Sequence, residues 1–352
     1  MSVALETAVT ALRNLSVAVG TDTQRLRDAR FETTSFSSPV FTLAGPAHLA
    51  ASVYRHTREA FYLDTAIQVL DRFALDQSAY GGGIRDSGGN NSPTLQSDIE
   101  TVEFAAILGK TMLALGDDLP VDVSERWTAL LEQMVDWFYY YKWPYYVNGN
   151  IEAIKAEATW YAYRITGQPR FAVAYDRQLA FMEKPTAGKL VGWITTTEGT
   201  DALGTGGAGY FMESGAGGDG LDWLYTHYQS SILSDLWLWN RDPRILRWLN
   251  MIYATLAPRI DKTGPNGWLY NTAGGTRQQV GVTTPAPNPW ATTVIAALVV
   301  GGARPELAAD VDASRSGLIG DVLPRSVVNG NAFFYRSCSR DLAWYLDAEP
   351  VA

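Results

Sequence analysis

The residues whose types and spacing best suit acid–base chemistry lie in YFMESGAGGDGLDWLYTHYQ, residues 210–229. A glycine-rich strip there runs into an aromatic, helix-like segment that carries Tyr225, His227 and Tyr228. Phenol and imidazole groups can exchange protons with a substrate when neighbouring groups adjust their pKa values. Since His227 is one of only three histidines in the chain, we interpret this stretch as a cleft wall that leads into a reactive helix.

Carboxyl groups near this segment and at earlier helix starts offer a second kind of chemistry. Glu213 and Asp222 flank the glycine-rich strip, while Asp98 and Glu152 lie at two other predicted helix starts. Two carboxyl groups about 6.5–9.5 Å apart can act as the acid and base of an inverting glycoside hydrolase. Each also has a plainer interpretation, because Asp98 and Asp222 could cap helices and Glu152 could form a solvated ion pair with Lys155.

Other side chains at predicted helix starts are candidates for contacting a substrate. Asn148 and Asn150 offer amide groups, and tryptophan rings suit the apolar faces of sugars. His48 lies among alanine and leucine, which is more typical of a core histidine. The remaining substrate-binding candidates are Trp143, Lys155, Trp223, Trp290 and Arg336.

Composition excludes several classes of protein. The chain has 352 residues, a formal charge of -9, one cysteine and three histidines. This charge argues against a nucleic-acid partner, and the few cysteines and histidines argue against a His/Cys metal site, so we expect no cofactor. An all-oxygen calcium site around Asp219 and Asp222 is the alternative. No apolar run is long enough for a membrane span, and no signal peptide is visible, which leaves a cytoplasmic, virion-associated or processed secreted protein.

A recurring helix–turn–helix pattern predicts the fold. A helical segment ends in a short polar turn and an amphipathic helix follows, with glycine or proline at the turn. A sixth pair could form from residues 335–346 and the N-terminal helix. We therefore predict an all-α fold, an (α/α)6-type toroid of helical hairpins. The five turns lie in residues 54–70, 113–134, 163–179, 238–252 and 299–311.

Long segments between the hairpins are expected to form the cleft. They cover residues 75–95, 184–221, 259–288 and 316–334, and all of them precede the first helix of a pair. Loops of this length in a compact domain are usually functional or disordered. The sequence GTGGAG (204–209) matches a dinucleotide fingerprint but lacks the strand before it and the helix after it that this site needs. We interpret it as part of a lid or cleft wall.

The N-terminal helix, within residues 1–30, has two interpretations. It could complete the toroid, or it could be a short oligomerising stalk, because Leu5, Val9, Leu12, Val19 and Leu26 form an imperfect heptad. Residues 31–352 are predicted to form a single catalytic domain. A homo-oligomer built through this helix is the corresponding partner prediction.

Residues 140–255 resemble the (α/α)-toroid polysaccharide lyases, the alginate-lyase kind in particular. The resemblance lies in YYVNGNIEAIKAEATWYAYRITGQPRFAVAYDRQLAFM, followed by GLDWLYTHYQSSILSDLWLW. It implies β-elimination beside a uronic acid residue, with Asn148 or Asn150 neutralising the carboxyl group and Tyr225 or Tyr228 acting as base and acid near His227. The chain departs from the family in having Gly149 between two asparagines and no arginine shortly before the tyrosines; Arg336 could substitute.

Two rival functions remain open at this stage. The first is the inverting hydrolase, which would use two carboxyl groups from the set Asp98, Glu100, Glu152, Glu213, Asp219 and Asp222. The second is a non-catalytic carbohydrate-binding or phage-tail-associated protein. The acidic charge favours the hydrolase, whereas the asparagines and the Tyr–x–His–Tyr arrangement favour the lyase. In all three cases the expected partner is a polysaccharide or oligosaccharide.

Overall fold

A computed structural model gives the fold, and the described part of the chain is mostly helical, which confirms the all-α prediction. None of the described helices combines the length and apolar character needed to cross a bilayer. The described residues are 3–18, 44–78, 83, 98–141, 149–183, 193–195, 207–213, 222–261, 270–271, 292–322 and 338–350.

The helices follow one another in pairs joined by short turns. Four short strands form two ribbons between them. The elements, in chain order, are α1 (Val3–Ala18), α2 (Gly45–Thr57), α3 (Ala60–Ser78), α4 (Asp98–Leu115), α5 (Val121–Asp136), α6 (Gly149–Thr166), α7 (Pro169–Met182), β1 (Trp193–Thr195), β2 (Gly209–Phe211), α8 (Trp223–Asn240), α9 (Pro243–Leu256), β3 (Ile260–Asp261), β4 (Tyr270–Asn271), α10 (Thr292–Val300), α11 (Ala308–Gly317) and α12 (Ser339–Ala348).

The five turns predicted from the sequence are present, and each contains one residue with a left-handed backbone. Such a residue ends a helix because it turns the chain back while its amide still bonds the last turn. The Gly167 amide, for example, donates to the Tyr163 carbonyl at 2.8 Å. The left-handed residues are Arg58, Gly116, Gly167, Arg241 and Gly302.

Arginine replaces glycine at two of these turns and stacks on an aromatic ring four residues earlier. The Arg58 guanidinium lies 5.5 Å from the centre of the Tyr54 ring, and that of Arg241 lies 4.3 Å from the Trp237 ring. Left-handed backbone is unfavourable for residues with a Cβ. Cation–π attraction between the guanidinium and the ring offsets part of that cost. The stacked ring therefore compensates for backbone strain that glycine, which has no Cβ, does not have.

Burial alternates along the chain between the two helices of a pair. Helices α4, α6 and α8 are buried over most of their surface, whereas α5, α7 and α9 each expose one side. This is the division expected when the first helices of the pairs are interior and the second ones face solvent. The interior helices also carry most of the buried charged side chains, which places chemistry-bearing groups inside a mainly apolar core.

The chain divides into two compact units, each discontinuous in sequence. Unit 1 consists of Met1–Pro144, Glu157–Asp176 and Arg325–Ala352, and unit 2 of Tyr145–Ala156 and Arg177–Pro324. Helices α6 and α7 therefore contribute residues to both units.

In unit 1, α2 is the central helix. It packs against α3, α4 and α12, while α1 packs against α2 and α12. The predicted sixth pair, α12 with the N-terminal helix, is thus in contact. Ala4, Ala8 and Leu12 are among the buried residues of α1.

In unit 2, α9 packs against α8, α10 and β2. Strand β2 runs antiparallel to β1, with Trp193 opposite Phe211, and β3 pairs with β4. These ribbons correct the sequence analysis, which assigned residues 184–221 and 259–288 entirely to loops. Strands of two or three residues lack the alternation of apolar and polar residues that identifies longer ones.

Two of the three histidines fix the end of α12 to α2. His48 Nε2 lies 3.2 Å and Arg55 Nη1 lies 2.9 Å from the carboxylate of Asp347, whose side chain is 1% exposed. His56 Nε2 is 2.8 Å from the Leu346 carbonyl. Burial alone would raise the pKa of Asp347, but the hydrogen bond from His48 and the charges of His48 and Arg55 lower it.

Replacing Gly167 by alanine is expected to lower the free energy of unfolding by about 1–2 kcal/mol, the cost of a left-handed alanine. No atom lies within 4 Å of the position that a Cβ would occupy there, so the backbone alone sets this cost. Gly167→Asn should cost less, because asparagine tolerates this conformation. Urea unfolding of both variants measures the difference, and equal losses would contradict the explanation.

Asp347→Asn is expected to cost about 3–5 kcal/mol at neutral pH, because it removes the counter-charge of the partly buried Arg55 and the charged partner of the buried His48. Since folding lowers the pKa of Asp347, its contribution is fully present above about pH 4 and is lost as the pH falls through the folded pKa. The difference in the free energy of unfolding between wild type and Asp347→Asn should therefore become smaller at acidic pH. Urea midpoints measured across pH test this, with Asp118→Asn as the control, since Asp118 pairs with Arg58 at the surface and should matter little.

Candidate functional site

In unit 2, one carboxylate oxygen joins the start of α6, the end of β2 and the second turn of α8. Glu213 Oε1 accepts a hydrogen bond from the Asn150 amide at 2.9 Å and another from Gln229 Nε2 at 2.8 Å. Glu213 is 1% exposed. A carboxylate at the start of a helix satisfies a free amide and complements the helix dipole. Glu213 therefore caps α6 from a distant part of the sequence.

These two hydrogen bonds of Asn150 and Gln229 to Glu213 form the Glu213 joint. Close backbone contact reinforces it. The Gly149 amide donates to the Met212 carbonyl at 2.9 Å. A Cβ at Gly149 would lie 2.5 Å from Phe211 Cβ and 2.8 Å from Gln229 Nε2, so only glycine fits. Gly149 stands where the resemblance to lyases expects a different pattern, and its role here is close packing. The backbone amides of Gly149 and Asn150 at the start of α6 are therefore occupied by protein groups.

The side-chain oxygen of Asn150 differs from its backbone amide in having no partner. Asn150 is buried, and its Oδ1 accepts no hydrogen bond from any described residue. A buried carbonyl oxygen without a donor costs free energy, which makes this side chain a candidate for contacting a bound molecule. Among the described residues of α6, Asn150 is the candidate for the lyase reaction and Glu152 the candidate for the hydrolase.

Asp222 caps α8 as one of its two interpretations predicted. Its Oδ1 accepts a hydrogen bond from the Tyr225 amide at 3.1 Å, and its carbonyl accepts one from the Thr226 amide at 2.8 Å. The side chain is fully buried. This cap fixes where α8 begins and so determines which of its side chains face the Glu213 joint.

The three acid–base candidates on α8 point in different directions. Successive residues of an α-helix are separated by about 100°, so Tyr225, four residues before Gln229, lies only about 40° from it around the axis. Tyr228 lies about 100° and His227 about 160° from Gln229 by the same geometry. Tyr225 is partly exposed, whereas His227 and Tyr228 are 1% and 3% exposed. Tyr225 is therefore the candidate that combines solvent access with the side of α8 that carries the joint.

Glu152 and Lys155 form the predicted pair, but the pair is not solvated. Lys155 Nζ lies 3.4 Å from Glu152 Oε1, and the two side chains are 1% and 0% exposed. Gln178 also donates to the Glu152 carboxylate and to the Glu152 carbonyl. The prediction of a solvated pair is therefore wrong. Lys155, a predicted substrate-binding residue, has its ammonium group beside Glu152 in the interior.

Unit 1 contains a buried ionic cluster that the sequence analysis missed. Arg340 of α12 lies 3.5 Å from Glu103 of α4 and 3.1 Å from Glu157 of α6. The Tyr161 hydroxyl donates to Glu157 at 3.2 Å, and α4 approaches α6 so closely at Gly109 that a Cβ there would lie 2.5 Å from Tyr161 Cβ. The signal in the sequence was the presence of charged residues among long apolar stretches of these three helices. Such charges are buried only when they are paired.

The predicted residues of unit 1 are buried where they are described. His48 is 2% exposed beside Asp347, and Glu100 is 3% exposed. His48 was predicted to bind substrate, but its imidazole fits the plainer interpretation as a core histidine. The remaining candidates, Asn148, Trp143, Trp290 and Arg336, lie outside the described residues, as do Asp219 and the side chains of Asp98 and Trp223.

The described groups of unit 2 can exchange one proton and donate amide hydrogen bonds. Tyr225 is the accessible proton-transfer group, and Asn150 and Gln229 carry the amides around Glu213. Within the described part of the chain, no three His, Cys, Asp or Glu residues lie together in a way that could hold a metal ion.

Comparison of the sequence with models of protein families returned no match, and comparison with curated proteins returned none either.

Two substitutions of Asp222 test whether this residue serves as a helix cap or whether its charge is needed. Since asparagine and aspartate cap helices about equally well, Asp222→Asn should keep the stability of the protein, whereas Asp222→Ala should lose about 1 kcal/mol. Thermal and urea unfolding measure both variants. Equal losses would show that the charge, and not the cap, is what matters at this position.

Proposed function

We propose that this protein is a polysaccharide lyase that cleaves beside a uronic acid residue by β-elimination, with Tyr225 as base and then acid. The observation that carries the proposal is the position of Tyr225. It is partly exposed and lies one helical turn before Gln229, on the side of α8 where Glu213 joins Gln229 to the start of α6. Asn150, whose backbone amide bonds the same Glu213, carries the side-chain amide that would meet the substrate.

The proposed reaction moves one proton and breaks one bond. Tyr225, as phenolate, removes the proton from C5 of the uronic acid, and the electron pair of that bond forms the C4–C5 double bond. The C4–O bond breaks, and its oxygen takes the proton from the Tyr225 phenol, which returns to phenolate. The Asn150 amide would donate to the substrate carboxyl group, where negative charge develops in the transition state. The resemblance to toroid lyases supports these two roles.

The hydrolase is less well supported, because the three candidate carboxyl groups described in unit 2 already have structural partners. Glu152, Glu213 and Asp222 are each no more than 1% exposed. Glu152 is bonded by Gln178 and Lys155, Glu213 by Asn150 and Gln229, and Asp222 by the first turn of α8. A hydrolase needs one carboxyl group that reaches water and another that reaches the leaving oxygen.

The proposed scaffold for this chemistry is the (α/α)6 toroid. Its support is the series of hairpins, the alternation of interior and outer helices, and the packing of α1 against α12. A single catalytic domain over residues 31–352 and an oligomer formed through the N-terminal helix stay predictions.

Tyr225→Phe is expected to lower kcat/KM by about 10²–10⁴, the usual contribution of a general acid–base group. The matched control is Tyr228→Phe, which removes the same hydroxyl group from a buried tyrosine three residues later and should keep the rate. Wild type is first incubated with a panel of uronic-acid and neutral polysaccharides, followed by ultraviolet absorbance and by reducing ends. Both signals should rise together on a uronic-acid polymer.

Each other outcome points to a different protein. Reducing ends without absorbance indicate a hydrolase, and binding without either signal indicates a carbohydrate-binding protein. If Tyr225→Phe keeps its rate while Tyr228→Phe loses it, the lyase assignment stands but the tyrosine is the wrong one.

A further inference from the structure

We infer that Glu213 is the positioning residue of this site: its carboxylate holds the α6 start that bears Asn150 at a fixed distance from the α8 turn that bears Tyr225. This inference rests on the proposed function for its catalytic consequence, but the joint itself is defined by contacts alone. Glu213 is not a base or an acid here, since it is buried and its Oε1 already accepts two hydrogen bonds.

The two bonds to Glu213 Oε1 come from different helices. One donor is the backbone amide of Asn150 on α6, so the bond fixes the main chain and does not engage the Asn150 side chain. The other donor is Gln229 on α8, whose Nε2 also lies 3.3 Å from the Phe211 carbonyl. Hydrogen bonds to a carboxylate are about twice as strong as those between neutral groups, and one oxygen therefore ties the two helices and β2 together.

Glycine at position 149 makes this tie rigid. The start of α6 lies against Phe211 and Gln229 with no room for a Cβ, so α6 cannot slide along β2 without a clash. Tyr225 follows the movement of Gln229 because the two are one turn apart on the same helix. Loss of the Glu213 carboxylate would therefore change the distance between Asn150 and Tyr225 without removing either group.

The consequence for the reaction is a loss of kcat and not of affinity. A shift of about 1 Å between reacting groups can cost about 10²-fold in rate, whereas binding energy from the rest of a polymer is unaffected. Glu213→Ala is thus expected to lower kcat by about 10²-fold with little change in KM. Gln229→Leu, which removes the second donor, should act in the same direction.

The sharpest test is an exchange of the two partners. Glu213→Gln combined with Gln229→Glu restores a carboxylate–amide bond in the reverse direction, and kcat should recover toward wild type relative to Glu213→Ala. The matched control is Gln178→Leu, which removes another buried amide from a carboxylate in the same unit, that of Glu152. That control should lower the melting temperature and leave kcat unchanged.

A second measurement needs no substrate. The Gly149 and Asn150 amide hydrogens should exchange with deuterium much faster in Glu213→Ala than in wild type. The double variant Glu213→Gln/Gln229→Glu should restore their protection. Unchanged protection in Glu213→Ala would overturn the joint itself. Faster exchange together with an unchanged kcat would overturn the positioning role. A wild-type protein that produces no ultraviolet absorbance from any uronic-acid polymer would instead remove the proposed function and leave the joint standing.

Discussion

The site in unit 2 depends on a carboxylate placed against the start of a helix. Glu213 and the Met212 carbonyl satisfy the first amides of α6, and Gln229 ties the same carboxylate to α8. Because buried amides and carboxylates are costly without partners, these three segments are stable only together. The identity of Gly149 follows from that constraint, since the segments approach too closely for any larger residue.

The same physical rule explains where the buried charges lie. Glu103, Glu157 and Arg340 form one cluster in unit 1, and Glu152 and Lys155 form a pair in unit 2. All five side chains are buried, and they lie on α4, α6 and α12. Removing one partner from a buried ion pair costs far more free energy than the intact pair contributes. These pairs therefore specify which helices are neighbours and add little to stability.

Local patterns predicted the helices and their turns, because helical periodicity and left-handed turn residues are properties of short segments. Asp222 as a cap was predictable for the same reason. The role of Glu213 was not, because its partners lie 63 and 16 residues away along the chain. The choice among Tyr225, His227 and Tyr228 also needed coordinates, since a sequence shows that three residues share a turn but not which side of the helix is covered. The two short ribbons were not predicted, because strands of two or three residues are too short to show an alternation of apolar and polar residues.

The cluster around Arg340 bears on the order in which the protein is made. Glu103 and Glu157 are synthesised long before α12, which supplies their counter-charge. Until α12 emerges from the ribosome, two carboxylates assigned to the interior of unit 1 have no arginine to meet them. Unit 1 therefore cannot finish folding from its N-terminal part alone, and a nascent chain that pauses before Arg340 is expected to stay a client of chaperones.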